Sequence, residues 1–342
     1  MNKLGLVFDN RYLYHSISTP SPENPDRVCN LYRHLQQQEN NRSLFHIQTR
    51  EATDEEIAMA HSSFYMEQLR EHAVKDDPYS YDRDTYLMDD SLSTARLAAG
   101  GCLNLADSIM SGEIDYGFAL VRPPGHHATP GRGMGFCIFN NIALTAEYLR
   151  RQYGLRRILI LDFDVHHGNG TQEIFYDTNE VLFCSIHEKG IFPFSGSQEE
   201  MGSEAGLGYT VNIPVHPQFG DPEYTYLLGR MLQGLVEQYL PQFILVSAGY
   251  DAHKDDSIGK TLLSTQWYGL ITHILRRHAS ESCENRLLYI MEGGYNPISL
   301  KASVLTTIDA MLQEEFSKPG IFPVPRAEKL LVGHPIHQYW TI

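Results

Sequence analysis

Between Ile158 and Thr171 the chain reads ILILDFDVHHGNGT. An apolar run ends in Asp162, Asp164, His166 and Asn169, groups that resist burial unless they are paired or bound to a metal. Asp164 and His166 are two residues apart, so in an extended chain both side chains point the same way. Asp251, at the end of a second apolar run, can supply a third ligand. An Asp–His–Asp set offers only oxygen and nitrogen. It suits Zn²⁺, Fe²⁺ or Co²⁺, and three protein ligands leave room for water and substrate. A lone D-x-H pair is common in hydrogen-bonded cores, so its weight depends on its company.

That company includes His126 and His127, adjacent in RPPGHHA after another apolar run. One imidazole can be neutral and accept a proton while the other is charged and steadies an anion or protonates a leaving amine. Each needs a partner behind its ring to fix the tautomer, and Asp162 and Asn169 suit that role. Tyr295 follows Gly293 and Gly294. The two glycines permit a backbone path that aims a phenol into a cleft, where it can stabilise an oxyanion. The chain has no G-x-G-x-x-G, no G-x-x-x-x-G-K-[ST] and no G-x-S-x-G, so phosphate loops and a serine elbow are not indicated.

Positioning these groups falls to alternating strands and helices. Continuously apolar strands are expected at 3–8, 116–121, 157–163, 181–186, 209–213, 243–247 and 287–291. Helices are expected at 26–38, 91–111, 140–153, 222–239, 265–280 and 298–315. The alternation predicts an α/β fold with one parallel sheet covered on both faces, and no boundary divides it, so residues 1–342 read as a single domain. The polar clusters RPPGHHA, DVHHGNG, AGYDAHKDD and EGGYN all follow strands, which gathers them on the carboxyl edge, where α/β sheets bind ligands.

Composition narrows the class. The chain has 342 residues, 42% of them hydrophobic, with 27 Lys and Arg against 42 Asp and Glu, a net charge of −15. That balance argues against nucleic acid and anionic membranes as partners. No run reaches the roughly 18 apolar residues of a membrane span, and MNKLGLVFDN lacks the pattern of a signal peptide. Cys29, Cys102, Cys137, Cys184 and Cys283 are scattered, odd in number and without C-x-x-C spacing, so a cytoplasmic, reducing setting is expected.

RPPGHHA, GFCIFNN, DFDVHHGNGTQ, SAGYDAH and EGGYN, in this order, resemble the zinc-dependent histone deacetylase superfamily over about Tyr14 to Trp340. EGGYN, Asn169 and HPIHQYW look like the class II type, and the compact length like a bacterial histone deacetylase-like amidohydrolase. The resemblance implies the arginase–deacetylase fold, with a mainly parallel eight-stranded sheet, one strand more than the seven read from the residues. It implies zinc on Asp164, His166 and Asp251, and His126 and His127 as the base and acid pair backed by Asp162 and Asn169. Tyr295 would polarise the acetyl carbonyl, and the Gly135 carbonyl would accept the substrate amide N–H. Phe136, Phe192 and Ile258 would wall a channel for the lysine methylenes, and Arg27 would lie near the acetate-release path. Structural potassium would be held at one site by Asp162, Asp164, His166, Ser185 and Ile186, and at a second by Phe175, Thr178, Val181 and Tyr209.

The reaction implied is hydrolysis of the acetyl amide of an acetylated lysine in a peptide or protein. An acetylpolyamine or other small amide is the alternative substrate, and a non-catalytic acetyl-lysine binding module would need a broken site. Polyamine-type relatives carry a long insertion where KDDPYSYDRDTYLMDD (75–90) is short, which favours an open mouth. Asp90 is the rim residue expected to grip the substrate backbone, although an acidic helix cap reads the same way.

Overall fold

The computed structural model describes residues 2–38, 41–73, 79–315 and 320–342. Its strands are β1 (Leu4–Val7), β2 (Leu44–His46), β3 (Tyr79–Ser80), β4 (Tyr86–Leu87), β5 (Tyr116–Ala119), β6 (Ile158–Asp162), β7 (Val181–Glu188), β8 (Thr210–Val215), β9 (Phe243–Ala248) and β10 (Leu287–Met291). Eight of them form one sheet in the order β2-β1-β5-β10-β9-β6-β7-β8, every neighbouring pair parallel. The short antiparallel pair β3–β4 stands apart. The central strands are buried at every residue, which is why they read as unbroken apolar runs: helices cover both faces.

The helices are α1 (Asp26–Gln36), α2 (Asp54–Ile57), α3 (Ser63–Ala73), α4 (Ser91–Met110), α5 (Asn141–Tyr153), α6 (Asn169–Phe175), α7 (Asp221–Tyr239), α8 (Thr265–Ser282), α9 (Pro297–Leu312) and α10 (Pro325–Val332). All six expected helices form, to within a few residues at their ends. The start of α5 shows how the sequence sets such an end. Asn140 Oδ1 accepts the Ala143 N–H at 3.0 Å, and Gly154 closes the far end at φ 67°. The strand of the main sheet missing from the sequence reading is β2, a three-residue, partly exposed edge strand too short to give a pattern, and the two-residue strands β3 and β4 are missing for the same reason. Helices α2, α3, α6 and α10 were likewise unmarked.

The order of the sheet explains why the polar clusters meet. After β5 the chain skips two places to β6, and β9 and β10 later fill the gap. Strands β5, β10, β9 and β6 are therefore consecutive neighbours, and each ends in one of the four clusters singled out above. Such a break in strand order opens a crevice at the carboxyl edge.

Candidate metal centre and active site

Asp164, His166 and Asp251 converge beyond the ends of the adjacent strands β6 and β9. All three are buried and offer ligand atoms within 4.8 Å of one another. His166 Nδ1 lies 3.0 Å from Asp164 Oδ1 and 3.2 Å from Asp251 Oδ2. The convergence does not come from strand alternation, as the two-residue spacing predicts. Strand β6 ends at Asp162, and residues 164–166 form a bend in which Asp164 Oδ1 also accepts the His166 N–H at 2.9 Å.

The other carboxylate oxygens are aimed by backbone. Asp164 Oδ2 accepts the Gly293 N–H at 2.8 Å, and Asp251 Oδ1 accepts the Val165 N–H at 2.9 Å. Asp251 Oδ2 is buried with no hydrogen bond. Burial and the charge of Asp164 push the Asp251 carboxyl up to about 7, while the histidine charges hold Asp164 far below the usual range against its burial. Two carboxylates shut in with an orphaned oxygen, and a nitrogen facing both, form the donor set of a divalent cation. Gly293 leaves the necessary space, since a Cβ there would sit 2.1 Å from Asp251 Oδ2. Of the pair in EGGYN, only Gly294 adopts a positive φ, 120°; Gly293 is required by crowding instead.

The histidine pair lies beside this set, with ring centroids 4.0 Å apart. His126 Nδ1 is 2.9 Å from Asp162 Oδ2, and His127 Nδ1 is 2.8 Å from Asn169 Oδ1 at the first residue of α6. An amide oxygen only accepts, so His127 carries its proton on Nδ1 and leaves Nε2 free. Burial, reinforced by charge on His126 and His166, drives the His127 pKa well below its usual value. Burial also opposes charge on His126, but Asp162, Asp164 and Glu292 outweigh it and raise that imidazole to about 10.

Tyr295 leaves β10 held by its backbone. Its N–H donates to Asp256 Oδ2 at 2.6 Å, and the Arg27 guanidinium lies 4.8 Å from its ring centre. Arg27 in turn donates to the carbonyls of Glu292 and Gly294, both at 2.7 Å. Asp256 sits in the cluster AGYDAHKDD, yet nothing in the sequence assigns it to holding the tyrosine turn.

A cavity of about 200 Å³ is lined by Pro22, Asp84, His127, Gly135, Phe136, His166, Phe192, Ile258 and Tyr295. His127 and His166 are its buried end; Pro22 and Asp84 are exposed and mark its mouth. Phe192 packs edge-on against His127 with centroids 5.0 Å apart, and Phe136 lies 5.6 Å from the Tyr295 ring. Gly135 admits no side chain: its φ is 54°, and a Cβ would meet His127 Cδ2 at 2.6 Å. The β3–β4 hairpin braces this turn. Asp82 Oδ2 accepts the Gly135 N–H at 3.2 Å and Thr85 Oγ1 accepts the Phe136 N–H at 2.9 Å. Asp90 is not brought to the cavity. It is exposed at the start of α4, and the lining carboxylate is Asp84. In the preceding loop, residues 75–78 lie outside the described residues.

The residues named for potassium fall in two places. Asp162, two residues before Asp164, and Ser185 are register partners on β6 and β7, with Ser185 Oγ 2.9 Å from His187 Nδ1. Phe175, Thr178 and Val181 run from the end of α6 into β7, and the Tyr209 carbonyl accepts the Phe183 N–H at 2.9 Å.

Residues 21–311 match the family described as "Histone deacetylase domain". The chain belongs to the histone deacetylase family. It is 37% identical over 295 residues to a "Probable deacetylase" of Archaeoglobus fulgidus, covering 85% of this chain and 81% of that one. It is 37% identical to "Histone deacetylase 15" of Arabidopsis thaliana over 90% of this chain but only 56% of the plant protein. It is 35% identical to a "Histone deacetylase-like amidohydrolase" of Pseudomonas aeruginosa over 76% of this chain and 68% of the relative. A solved structure, "Crystal Structure of HDA15 HD domain", superposes with a TM-score of 0.90 at 33% identity, covering 99% of this chain and 95% of that one. The fold is thus the arginase–deacetylase fold, and the chain is an amidohydrolase of a zinc-dependent family. Asp164, His166 and Asp251 fit the zinc that this histone deacetylase family uses. No helix among the described residues is long and apolar enough to cross a membrane.

Proposed function

We propose that this histone deacetylase family member, with residues 1–342 acting as one catalytic domain, hydrolyses the acyl amide of Nε-acetyl-lysine in peptides or proteins and releases acetate. The observation that carries the reading is the cavity: aromatic walls lead from an exposed mouth to His127, His166 and Tyr295. Zinc held by Asp164, His166 and Asp251 would supply Lewis-acid polarisation of the acyl carbonyl and acidification of water. His127, neutral and with Nε2 free, accepts the proton of the attacking water and passes it to the departing amine. His126 stays charged against Asp162 and steadies negative charge developing beside it. Tyr295 keeps its proton and donates to the oxyanion. Phe136, Phe192 and Ile258 flank the lysine methylenes and keep water out, while the Gly135 carbonyl accepts the substrate amide N–H. At the mouth we assign the substrate-facing carboxylate to Asp84 in place of Asp90.

The three ligands, both histidines and Tyr295 are all present together, which counts against a binding module. Between acetyl-lysine and acetylpolyamine, the deciding measurement is kcat/KM of the zinc-loaded protein on an acetyl-lysine peptide and on an acetylated polyamine, side by side. A strong peptide preference is expected; a strong polyamine preference would overturn the substrate assignment. We also assign structural potassium to the two sets around Ser185 and around Thr178. The melting temperature should then be higher in potassium chloride than in choline chloride at equal ionic strength, and identical values would remove this assignment. The five cysteines, all free, suit a reducing cytoplasm.

A further inference from the structure

Glu292 opens the EGGYN motif, and beyond its charge near His126 the steps above give its side chain no role. It is fully buried at the end of β10, where an unpaired carboxyl would be costly. Its partners lie in the loop after β5 and on β9, the two strands that flank β10. Oε2 accepts the backbone N–H groups of Gly125, at 2.6 Å, and His126, at 3.1 Å. Oε1 accepts the Ser247 hydroxyl of β9 at 3.2 Å. The Glu292 carbonyl accepts from Arg27, the same guanidinium that lies over Tyr295.

One side chain therefore pins the turn that carries both imidazoles to the strand end that carries the phenol. The carbonyls of the turn have other partners: His126 O accepts the Gly170 and Thr171 N–H groups at 3.1 and 3.2 Å, and Pro123 O accepts from Asn141 Nδ2 at 3.2 Å. The Gly125 and His126 N–H groups lie outside regular secondary structure, and each donates to Glu292. A Cβ on Gly125 would meet the Asn141 nitrogen at 2.5 Å, so the backbone runs tight against the start of α5 with no space for a side chain to brace it.

We propose that Glu292 is a positioning residue for the tandem histidines: its hydrogen bonds to the Gly125 and His126 N–H groups fix where both rings sit relative to the zinc ligands and Tyr295. The proposal builds on the deacylase reading but concerns placement, so a structural readout tests it independently of substrate. It also rests on hydrogen bonding and not on charge. Glu292→Gln keeps an oxygen for the two N–H groups and an amide that can donate to Ser247, whereas Glu292→Ala leaves two buried donors without a partner.

The experiment compares parent, Glu292→Ala and Glu292→Gln, each loaded with zinc, by crystal structure and by kcat and KM on an acetyl-lysine peptide. In Glu292→Ala the His126 and His127 rings should shift by about 1 Å and kcat should fall about 10²-fold, with KM and zinc content near parental. Glu292→Gln should restore both ring positions and kcat. Unshifted rings in Glu292→Ala, or equal losses of kcat in both variants, would overturn the proposal. If Glu292→Ala does not fold, Glu292→Gln alone decides: displaced rings or a kcat far below parental refute it. An inactive parent would count against the substrate reading only, and the ring positions would still decide the role of Glu292.

Discussion

Tyr295 is a phenol beside two buried carboxylates. Burial first, and then the negative charge of Asp251, lift its pKa well above the usual value, although Arg27 pulls the other way. It is therefore a donor throughout the working pH range. Tyr295→Phe removes that donor and little else, because the turn is held through backbone bonds to Asp256 and Arg27. Turnover should fall about 10²–10³-fold with the fold intact by circular dichroism. Near-parental turnover in this variant would refute the oxyanion role. At this scale the sequence was legible where chemistry demanded unusual residues in buried places: the Asp–His–Asp set, the tandem histidines and the glycine-led tyrosine were all found from type and spacing. Asp84, Asp256 and Glu292 were not, because a carboxylate in a loop looks the same whether it meets solvent, a substrate or a backbone amide.

Between elements, His61 ties the loop after β5 to the preceding helices. Its Nδ1 lies 3.0 Å from the Thr129 carbonyl, and its Nε2 accepts the Asn140 N–H at 2.9 Å, so both ring nitrogens are committed to the neutral form. A second proton would point at an N–H donor. Burial holds the pKa at about 4, against the ordinary 6.5. Between those values the unfolded chain takes up a proton that the folded chain refuses, so stability is full above pH 6.5 and falls as pH drops toward 4. The difference corresponds to up to about 3 kcal/mol. Urea midpoints at pH 7 and pH 5 should separate in the parent and draw together in His61→Gln, whose amide can serve both partners. An unchanged separation would show that His61 is not a source of the acid sensitivity. No spacing pattern announces this clamp, since its members are 68 and 79 residues apart.

Across the whole molecule, the site depends on a buried charge cluster beneath the entrance. Glu23 accepts from Arg122 through both oxygens, at 2.5 and 2.7 Å, and from Arg27 at 2.8 Å, and all three side chains are essentially inaccessible. Arg122 also donates to the carbonyls of Tyr12 and His15, so the cluster joins the N-terminal segment to the loop after β5. Burial opposes the Glu23 charge, yet the two arginines and His15 bring its pKa down to about 2 from 4.5. Its contribution is complete above pH 4.5 and is lost as pH falls toward 2, a lower window than that of His61. Glu23→Ala strands two buried guanidiniums and should cost about 3–5 kcal/mol by denaturant titration at pH 7. A cost under 1 kcal/mol would mean that water enters and replaces the carboxylate.

By itself, the sequence determined the fold class, seven of the eight strands of the sheet and six of the helices, and it picked out the residues of the candidate metal and histidine sets. Apolar periodicity and the cost of burying Asp and His are local properties that a linear chain displays. Tertiary structure alone decided that β9 and β10 insert between β5 and β6, because strand order depends on which faces pack together and no window of sequence contains that choice. That insertion makes the four clusters neighbours. It sets Asp251 against the bend that carries Asp164 and His166, and it sets Glu292 under the histidine turn, while the separate β3–β4 hairpin brings Asp84 to the cavity. Each of these contacts joins residues far apart in the chain, and long-range proximity is what folding adds to the sequence.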